Sequence, residues 1–378
     1  MKYQSRFNVL VLGSLLFLLS LTAWFHPAKE TSDTERRKLA VFPEITADSL
    51  LDGSFMTNFE TYTLDQFPFR EQFRQLKAIN HFYVFRQSDN HDIYIADGYA
   101  SALVYPLHSG SVENALEHFQ NIYDTWLADT DVSVYSCIVP DKNYYLASAN
   151  GYPALDYTQL FHQIENGMGY STFIDITDCL TISSYYKTDT HWKQETLLPV
   201  AEKLLSLMQQ EQPMTSQYTL KTASTDFYGV YYGQAALPMT GETISYYTND
   251  TLDALSVLHM DTGKETSVYD FAQLSSKDPY EFFLSGAAPL LLVENPAAAS
   301  DKELILFRDS FGSSLAPLLL DSYRTITLVD TRYVSADMLG EFITFEDQDV
   351  LFLYSSLILN NSTTLMMRCR NEGFENKW

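Results

Sequence analysis

A serine at the junction of an apolar strand and a helix is the first residue here that suggests covalent chemistry. Ser310 follows the apolar run ELILF and the polar pair Arg308 and Asp309, and it precedes the helix-forming segment SSLAPLLL. At such a junction the hydroxyl is exposed, and the serine N–H and the helix N-terminus place positive charge where an oxyanion would form. Gly312 helps the turn approach a substrate closely. The alternative is that Ser310 only caps the helix, as serine often does.

An aspartate and a histidine two residues apart form a second group with chemical potential. In the segment YYKTDTHWKQE, Asp189 and His191 project on the same side if the stretch is extended. The carboxylate then orients the imidazole and stabilises its protonated form. Both residue types also ligate zinc and iron, although no third ligand is evident nearby. The pair therefore indicates catalysis, metal binding or a structural contact, and this segment alone leaves all three open.

Together the two segments supply every member of a hydrolase triad, with Ser310 as nucleophile, His191 as general base and Asp189 orienting the histidine. Some neighbouring side chains are candidates for substrate binding, because they follow strand ends or flank the triad: Lys142, Tyr144, Trp192, Arg308 and Arg332. Each has a simpler interpretation. Trp192 suits core packing, Arg332 suits a surface ion pair, and loops such as the one after the VSVYSCIVP strand are generally polar.

The segments around these residues alternate between apolar strands and amphipathic helices. The strand candidates are VSVYSCIVP, STFIDI, ELILFRD, TITLVD and DVLFLYSS. This rhythm predicts an α/β fold with a doubly wound parallel sheet. Between about 218 and 287 the chain is instead rich in Tyr, Thr, Gly and Ser, which predicts a β-rich insertion in the sheet or an addition to it. We place the catalytic domain at 91–378, and a tether with N-terminal helices at 28–90.

An apolar segment near the N-terminus predicts a membrane anchor. Residues 7–25 read FNVLVLGSLLFLLSLTAWF, without charge and after two basic residues. This length approaches the ~20 residues that cross a bilayer, and the basic flank predicts that the N-terminus stays in the cytoplasm. No convincing small-x-small cleavage site follows. We expect a transmembrane helix within 1–27 and an extracytoplasmic catalytic domain, or a secreted one if the segment is cleaved.

Composition excludes several other classes of protein. The formal charge of −24, from 24 basic and 48 acidic residues, would repel nucleic-acid backbones. It also disfavours adsorption to anionic lipid, so attachment to a membrane must come from the apolar segment. The 3 cysteines show no CxxC spacing, and the sequence has no HExxH, Walker or GxGxxG motif. We therefore expect no metal and no cofactor.

Several stretches, in order along most of the chain, carry a resemblance to a known family: ERRKLAVFP, FETYTLDQFPFREQF, VPDKNYYL, TDTHW, FYGVYYGQA, RDSFGSSLAPLL, VDTRY and DVLFLYSS. The chain resembles the DHHW family of bacterial surface proteins and, more distantly, the SGNH-hydrolase-like alginate O-acetyltransferases. In those proteins Asp and His of a TDxHW motif precede a DS(F/Y) nucleophile motif. The resemblance implies an SGNH-hydrolase-like fold and the same triad, Asp189, His191 and Ser310.

The sequence departs from the family pattern at two positions. Thr190 occupies the second position of the DHHW word, and Arg308 replaces the glycine of the SGNH Gly-Asp-Ser block. In an extended stretch Thr190 points away from its two neighbours, so its identity matters little. Arg308 could alter the turn or contact an anionic group, which leaves the oxyanion-hole geometry open. Asn360 and Asn361 are candidates for the family's block asparagine.

The combined features predict a protein that moves acetyl groups to hydroxyls of a surface or secreted polysaccharide through an acetyl-enzyme. The resemblance implies a polytopic membrane-bound O-acyltransferase partner that passes acetyl groups outward. If water is the acceptor, the protein is a carbohydrate esterase. A catalytically silent polysaccharide-binding or assembly protein on the same scaffold is the alternative from another class.

Overall fold

The computed structural model describes residues 2–25, 27–209 and 218–366. The described residues form two compact units: residues 2–91 with 232–238, and residues 92–231 with 239–366. The second unit contains the residues predicted to do chemistry. Cys137 is buried and Cys179 half-buried, both with free thiols, while Cys369 lies outside the described residues.

Helices occupy both units. They are α1 Lys2–Phe25, α2 Ala47–Leu51, α3 Ser54–Asp65, α4 Arg70–Ile79, α5 Ser109–Ile122, α6 Asn143–Leu146, α7 Tyr157–Gly167, α8 Leu198–Leu207, α9 Val230–Ala235, α10 Asp250–Ala254, α11 Gly312–Leu315 and α12 Ser356–Asn360. Helix α4 continues into a π-helical turn over Asn80–Val84.

Most strands belong to the second unit. They are β1 Thr31–Ser32, β2 Arg37–Lys38, β3 Ile93–Ala96, β4 Tyr99–Ala102, β5 Ser133–Val139, β6 Thr172–Phe173, β7 Thr219–Phe227, β8 Glu242–Thr248, β9 Ser256–His259, β10 Lys264–Ser267, β11 Leu290–Glu294, β12 Glu303–Arg308, β13 Thr325–Val329 and β14 Asp349–Ser355.

The main sheet of the described residues has eight strands in the order β10-β9-β11-β13-β12-β14-β5-β6. Strands β13, β12, β14, β5 and β6 run parallel to one another. Strand β11 pairs antiparallel with both β13 and β9, and β9 pairs antiparallel with β10. Non-consecutive neighbours such as β14 and β5 require crossover connections, which helices supply. The predicted SGNH-hydrolase-like α/β fold is therefore confirmed, with an antiparallel extension at one edge.

The central strands are apolar because helices cover both faces of the sheet. Along β12, Leu304 and Leu306 join the core that includes α8, whereas Ile305 and Phe307 join the core that includes α5 and α7. This alternation follows the period of two of a strand, since successive side chains point to opposite faces. Strand β14 does the same, so every residue of that strand is buried.

The region predicted as a β-rich insertion has two parts. Strands β7 and β8 form a separate antiparallel ribbon with two irregularities in register. Strands β9 and β10 form a hairpin that extends the main sheet next to β11. The segment thus includes both an addition to the sheet and a ribbon outside it.

The carboxyl ends of the parallel strands carry polar residues. Arg308 ends β12, and Asp309 and Ser310 follow it. Asp141 and Lys142 follow β5, and Asp330 follows β13. Parallel strands end at the same edge of a sheet, where open α/β folds form their crevice. The topology therefore brings most of the predicted residues to one edge.

Candidate active site

Asp189, His191 and Ser310 form a continuous chain of hydrogen bonds. His191 Nδ1 lies 2.6 Å from Asp189 Oδ1, and His191 Nε2 lies 2.8 Å from Ser310 Oγ. With the imidazole proton on Nδ1 facing the carboxylate, Nε2 is an acceptor for the serine hydroxyl. Asp189 is fully buried and Ser310 is half-buried. This arrangement has the geometry of a nucleophile, a base and an orienting acid.

Backbone groups hold the Asp189 carboxylate in place. Oδ1 also accepts the His191 backbone N–H at 3.0 Å, and Oδ2 accepts the N–H of Val230 at 2.9 Å. The N–H of Gly229 donates to Thr188 Oγ1 at 3.0 Å. A Cβ built on Gly229 would lie 2.2 Å from Asp189 Cβ, so the two backbones meet closely at this glycine. The start of α9 thus fixes the acid of the triad.

A glutamate anchors the same loop from the other side. Glu242, at the start of β8, accepts the backbone N–H groups of Lys187 and Thr188 at 2.8 Å each. It also accepts the Thr188 hydroxyl at 2.8 Å. Tyr231 donates its hydroxyl to Thr190 Oγ1 at 3.1 Å. The residues around the triad acid are therefore held by side chains from two distant segments, which favours a rigid catalytic loop.

Tyr280 stacks flat on the His191 imidazole. The ring centroids of His191 and Tyr280 lie 3.8 Å apart with an interplanar angle of 6°. Tyr280 is buried, and its hydroxyl lies 2.7 Å from Ser314 Oγ. Trp192 donates its indole N–H to the same Ser314 Oγ at 2.9 Å. Ser314, on α11, therefore ties together the residues that pack around His191. Burial raises the pKa of the Tyr280 hydroxyl well above its usual value.

The turn that carries Ser310 is tied down by Asp309. Its Oδ1 accepts the N–H of Phe311 at 3.0 Å, and its Oδ2 accepts the N–H of Ser355, at the end of β14, at 2.8 Å. Asp309 is buried, so these bonds compensate for its loss of hydration. The nucleophile turn is thereby fixed to a neighbouring strand.

Arg308 is fully buried beside this turn. Its Nη1 lies 3.7 Å from Asp330 Oδ2, while Nε and Nη2 have no hydrogen-bond partner among the described residues. Burial lowers the pKa of this guanidinium, and Asp330 opposes that effect. A Cβ on Gly312 would lie 2.7 Å from Arg308 Cβ, so the arginine fills the space beneath the helix start. Arg308 therefore supports the turn from inside.

Lys142 is buried and donates to backbone carbonyls. Its Nζ donates to the carbonyl of Ala100 and, at 2.9 Å, to that of Tyr186. The ammonium also lies 4.9 Å from the centroid of the Tyr231 ring. Desolvation lowers the pKa of Lys142 to about 7, while Asp189 acts in the opposite direction. Lys142 thus braces the loop that leads to Asp189.

The five residues predicted as possible substrate contacts differ in accessibility. Lys142, Trp192 and Arg308 are buried, so none of them presents its polar group to a substrate. Arg332 makes a two-pronged pair with Asp330, at 2.8 and 2.6 Å, which is the ion pair considered as its alternative. Tyr144 is exposed and packs edge-on against Tyr157. Tyr144 is the most accessible of the five, and its role in substrate binding stays a prediction.

The two asparagines considered for the family's block asparagine make hydrogen bonds away from the triad. Asn360 Oδ1 accepts the N–H of His108 at 2.7 Å, and its Nδ2 donates to Pro106 O. Asn361 accepts the hydroxyl of Thr363. The N–H of Phe311 donates to Asp309. The backbone N–H of Ser310, which the sequence suggested as an oxyanion-hole donor, therefore stays the candidate at the nucleophile.

The sequence did not single out the residues that hold the triad. Gly229, Tyr280, Glu242 and Ser314 carry no motif of their own, and they come from segments far from TDTHW in the chain. Gly229 lies within FYGVYYGQA and Ser314 within RDSFGSSLAPLL, two of the stretches that carry the resemblance, so these two residues had a signal in the sequence. Among the described residues, no cluster of three or more His, Cys, Asp or Glu side chains is arranged to hold a metal ion.

Comparisons with known proteins support the fold. No protein-family model and no curated protein sequence matches the chain. A DHHW family protein from Eubacterium siraeum matches with a TM-score of 0.56 at 19% identity, over 73% of this chain and 95% of that one. PatB1 from Bacillus cereus matches with a TM-score of 0.57 at 17% identity, over 71% and 96%. PatB1 with a sulfonyl adduct gives 0.57 at 16%, over 73% and 97%. The chain therefore has the fold of a DHHW family protein, as its sequence resemblance implied.

Proposed function

We propose that the protein is an extracytoplasmic O-acetyltransferase that moves acetyl groups to hydroxyls of a surface or secreted polysaccharide. The observation that carries the proposal is the hydrogen-bond chain from Asp189 through His191 to Ser310. The fold shared with a DHHW family protein supports the proposal. Acetyl as the acyl group and a polysaccharide hydroxyl as the acceptor rest on the sequence resemblance to alginate O-acetyltransferases.

The reaction proceeds in two balanced halves. His191 Nε2 accepts the Ser310 proton as Oγ bonds to the acetyl carbon, and the carbonyl oxygen becomes an oxyanion. When this intermediate collapses, the donor oxygen leaves with the proton from His191. The acceptor hydroxyl then gives its proton to His191 and bonds to the acetyl carbon, and the Ser310 oxygen leaves and regains the proton. Asp189 balances the imidazolium in both halves.

The acceptor decides between transfer and hydrolysis. If a sugar hydroxyl resolves the acetyl-enzyme, the protein is a transferase, and if water does, it is a carbohydrate esterase. The resemblance favours transfer, with a membrane-bound O-acyltransferase partner as the source of acetyl groups. Among the described residues, α1 is the helix that is long and apolar enough to cross a membrane, over Gln4–Phe25. An anchor there would hold the catalytic unit outside the cell membrane.

The first test is the intact mass of the full-length protein in detergent after incubation with p-nitrophenyl acetate. We expect an added acetyl group or ester turnover in the wild type and in Ser148→Ala, whose exposed serine lies outside the triad. Ser310→Ala and His191→Ala should show neither, because the first lacks the nucleophile and the second lacks the base. Acetylation retained in folded Ser310→Ala would rule out the serine mechanism.

A silent scaffold is the second candidate, and buried Arg308 in place of the block glycine is the observation that favours it. A sulfonyl fluoride probe separates the two candidates because it reacts with activated serines. Labelling of the wild type that is lost in Ser310→Ala supports the enzyme. Polysaccharide binding without labelling supports a binding or assembly protein.

A further inference from the structure

In the N-terminal unit, several charged side chains are shielded from solvent while many large apolar side chains are exposed. On α4, Arg70, Arg74 and Ala78 recur every four residues and therefore share one face. The Arg70 and Arg74 side chains are only 18% and 16% exposed, and Ala78 is fully buried. A helix on the surface of a soluble protein normally turns its apolar face inward. Helix α4 does the reverse.

Ion pairs account for the buried polar face. Asp65 accepts two hydrogen bonds from Arg37, at 2.8 and 2.5 Å, and the N–H of Ala40 at 2.9 Å. Arg70 pairs with Glu35 and lies 3.6 Å from Asp65. Arg74 lies 3.4 Å from Glu35 and donates to the carbonyl of Gly233 at 2.7 Å. Arg37 lowers the pKa of the Asp65 carboxyl. Ion pairs therefore stabilise the inward face of α4.

The opposite face of α4 is an apolar stripe. Phe73, Leu76 and Ile79 are 44%, 54% and 38% exposed, and Tyr83 in the following turn is 72% exposed. We call these four residues the α4 stripe. Of the large apolar side chains that are exposed in the described residues, fifteen lie in 41–85 and seven in 92–366. Exposed apolar surface is thus concentrated in the N-terminal unit, and such concentration marks an interaction surface.

The chain itself keeps this surface close to the end of the candidate membrane helix. Gln66, at the end of α3, accepts the N–H of Lys29 at 2.9 Å and donates to its carbonyl at 2.9 Å. Lys29 is four residues after Phe25, where α1 ends. Four residues span at most about 14 Å. The loop that leads into α4 therefore cannot lie far from the point where α1 would leave a bilayer.

The formal charge also differs between the two parts of the chain, and the difference favours a membrane contact by the N-terminal part. Residues 1–91 contain ten Lys and Arg and ten Asp and Glu, so the whole formal charge of −24 falls on residues 92–378. An anionic membrane surface repels an acidic domain, whereas a neutral segment with exposed aromatic side chains can enter its interface.

From the inverted burial of α4 and its tether to α1, we propose that the α4 stripe lies in the outer headgroup region of the bilayer. A helix with an apolar face enters this region parallel to the membrane. The α4 stripe and the anchor helix then bind the same membrane. The N-terminal unit would therefore contact lipid directly, in addition to linking the anchor to the second unit. This proposal does not depend on the acyl chemistry of the second unit.

The test uses the full-length protein in vesicles of phosphatidylethanolamine and phosphatidylglycerol, with either normal or brominated acyl chains. Bromine quenches tryptophan fluorescence on contact. Tyr83→Trp and Leu76→Trp each add a fluorophore on the α4 stripe. Phe271→Trp adds one at a side chain of the second unit that is 55% exposed, as a matched control. Subtracting the wild-type signal removes the native tryptophans.

We expect brominated lipid to cause a loss of the added fluorescence in Tyr83→Trp and Leu76→Trp and no loss in Phe271→Trp. If the added fluorescence of each stripe variant were the same in brominated lipid as in normal lipid, the proposal would be overturned. A protein partner or a second copy of the chain would then be the occupant of the α4 stripe. Quenching of all three variants would also overturn it, because the contact would then not be specific to the stripe.

Discussion

At the residue scale, the Asp189 carboxylate is fixed before any substrate arrives. It accepts the His191 ring N–H and backbone N–H through one oxygen and the Val230 N–H through the other. An imidazole held from one edge can still rotate about its Cβ–Cγ bond. The Tyr280 ring, parallel to the imidazole at 3.8 Å, restricts that rotation. Tyr280 is therefore a positioning residue for the reaction that we propose.

Removing this ring should weaken catalysis without removing a triad member. Stacked aromatic pairs contribute about 0.5–1.5 kcal/mol, so Tyr280→Leu should lower kcat for p-nitrophenyl acetate roughly 2- to 10-fold through loss of the stack. Tyr280→Phe keeps the ring and loses the bond to Ser314, so it should retain more activity. Steady-state kinetics of the two variants measure the difference. If Phe and Leu at this position were equally active, the stacking role would be refuted.

The three triad residues could be predicted from the sequence because their types and spacing indicate their chemistry. Asp189 and His191 lie in one short motif, and Ser310 follows an apolar strand. The contact of Tyr280 with His191 could not be predicted from the sequence, because Tyr280 lies in a 3-10 turn at Pro279–Phe282 and reaches His191 only through tertiary packing. The burial of Lys142 and Arg308 was equally hidden, since a charged residue after a strand normally faces solvent.

At the element scale, the site depends on the contact between two loops. The TDTH segment follows a run of 3-10 turns, and the start of α9 supplies the N–H groups that hold it. Sequence periodicity predicted the strands β5, β12, β13 and β14, because buried parallel strands are continuous apolar runs. It could not predict this pairing of loops, which is set by chain segments about forty residues apart.

Gly229 makes the close approach of these loops possible. A Cβ there would lie 2.2 Å from Asp189 Cβ and 2.5 Å from Asp189 N, so Gly229→Ala must push the two loops apart. Displacing a catalytic group by about 1 Å can cost on the order of 100-fold in rate, and we expect a loss of that order in kcat/KM. Gly110→Ala is the matched control, since nothing lies within 4 Å of its added Cβ.

Esterase kinetics and thermal unfolding of both variants test this expectation. The Gly110→Ala variant should match the wild type in both. A Gly229→Ala variant with wild-type kcat/KM would show that the Asp189 loop does not depend on this contact.

At the scale of the whole molecule, the two units are stabilised differently. The second unit has apolar cores on both faces of its sheet, whereas the first has a network of partly buried ion pairs around Asp65. Composition gave the large acidic charge of the chain but not its confinement to residues 92–378 in a separate unit, because unit boundaries depend on contacts between distant residues. The inverted face of α4 was likewise hidden, since a helical pattern does not reveal which face is inward.

We expect one core residue to make the stability of the second unit depend on pH. His118 on α5 is fully buried, and neither ring nitrogen has a hydrogen-bond partner among the described residues. Desolvation lowers its pKa to about 4, against Asp337, which acts in the opposite direction. In the unfolded chain a histidine has a pKa of about 6.5. As the pH falls from about 6.5 to 4, the unfolded state takes up a proton that the folded state does not, so folding stability is lost.

The His118→Leu variant should therefore lose less stability than the wild type between pH 7 and pH 4. The difference should be roughly 3 kcal/mol, because each pKa unit corresponds to about 1.4 kcal/mol. Urea unfolding of the full-length protein in detergent at the two pH values measures it, and the exposed His162→Leu serves as control. Carboxylates that protonate over this range affect all three proteins alike. An identical loss of stability in the wild type and in His118→Leu would contradict the lowered pKa of His118 in the folded state.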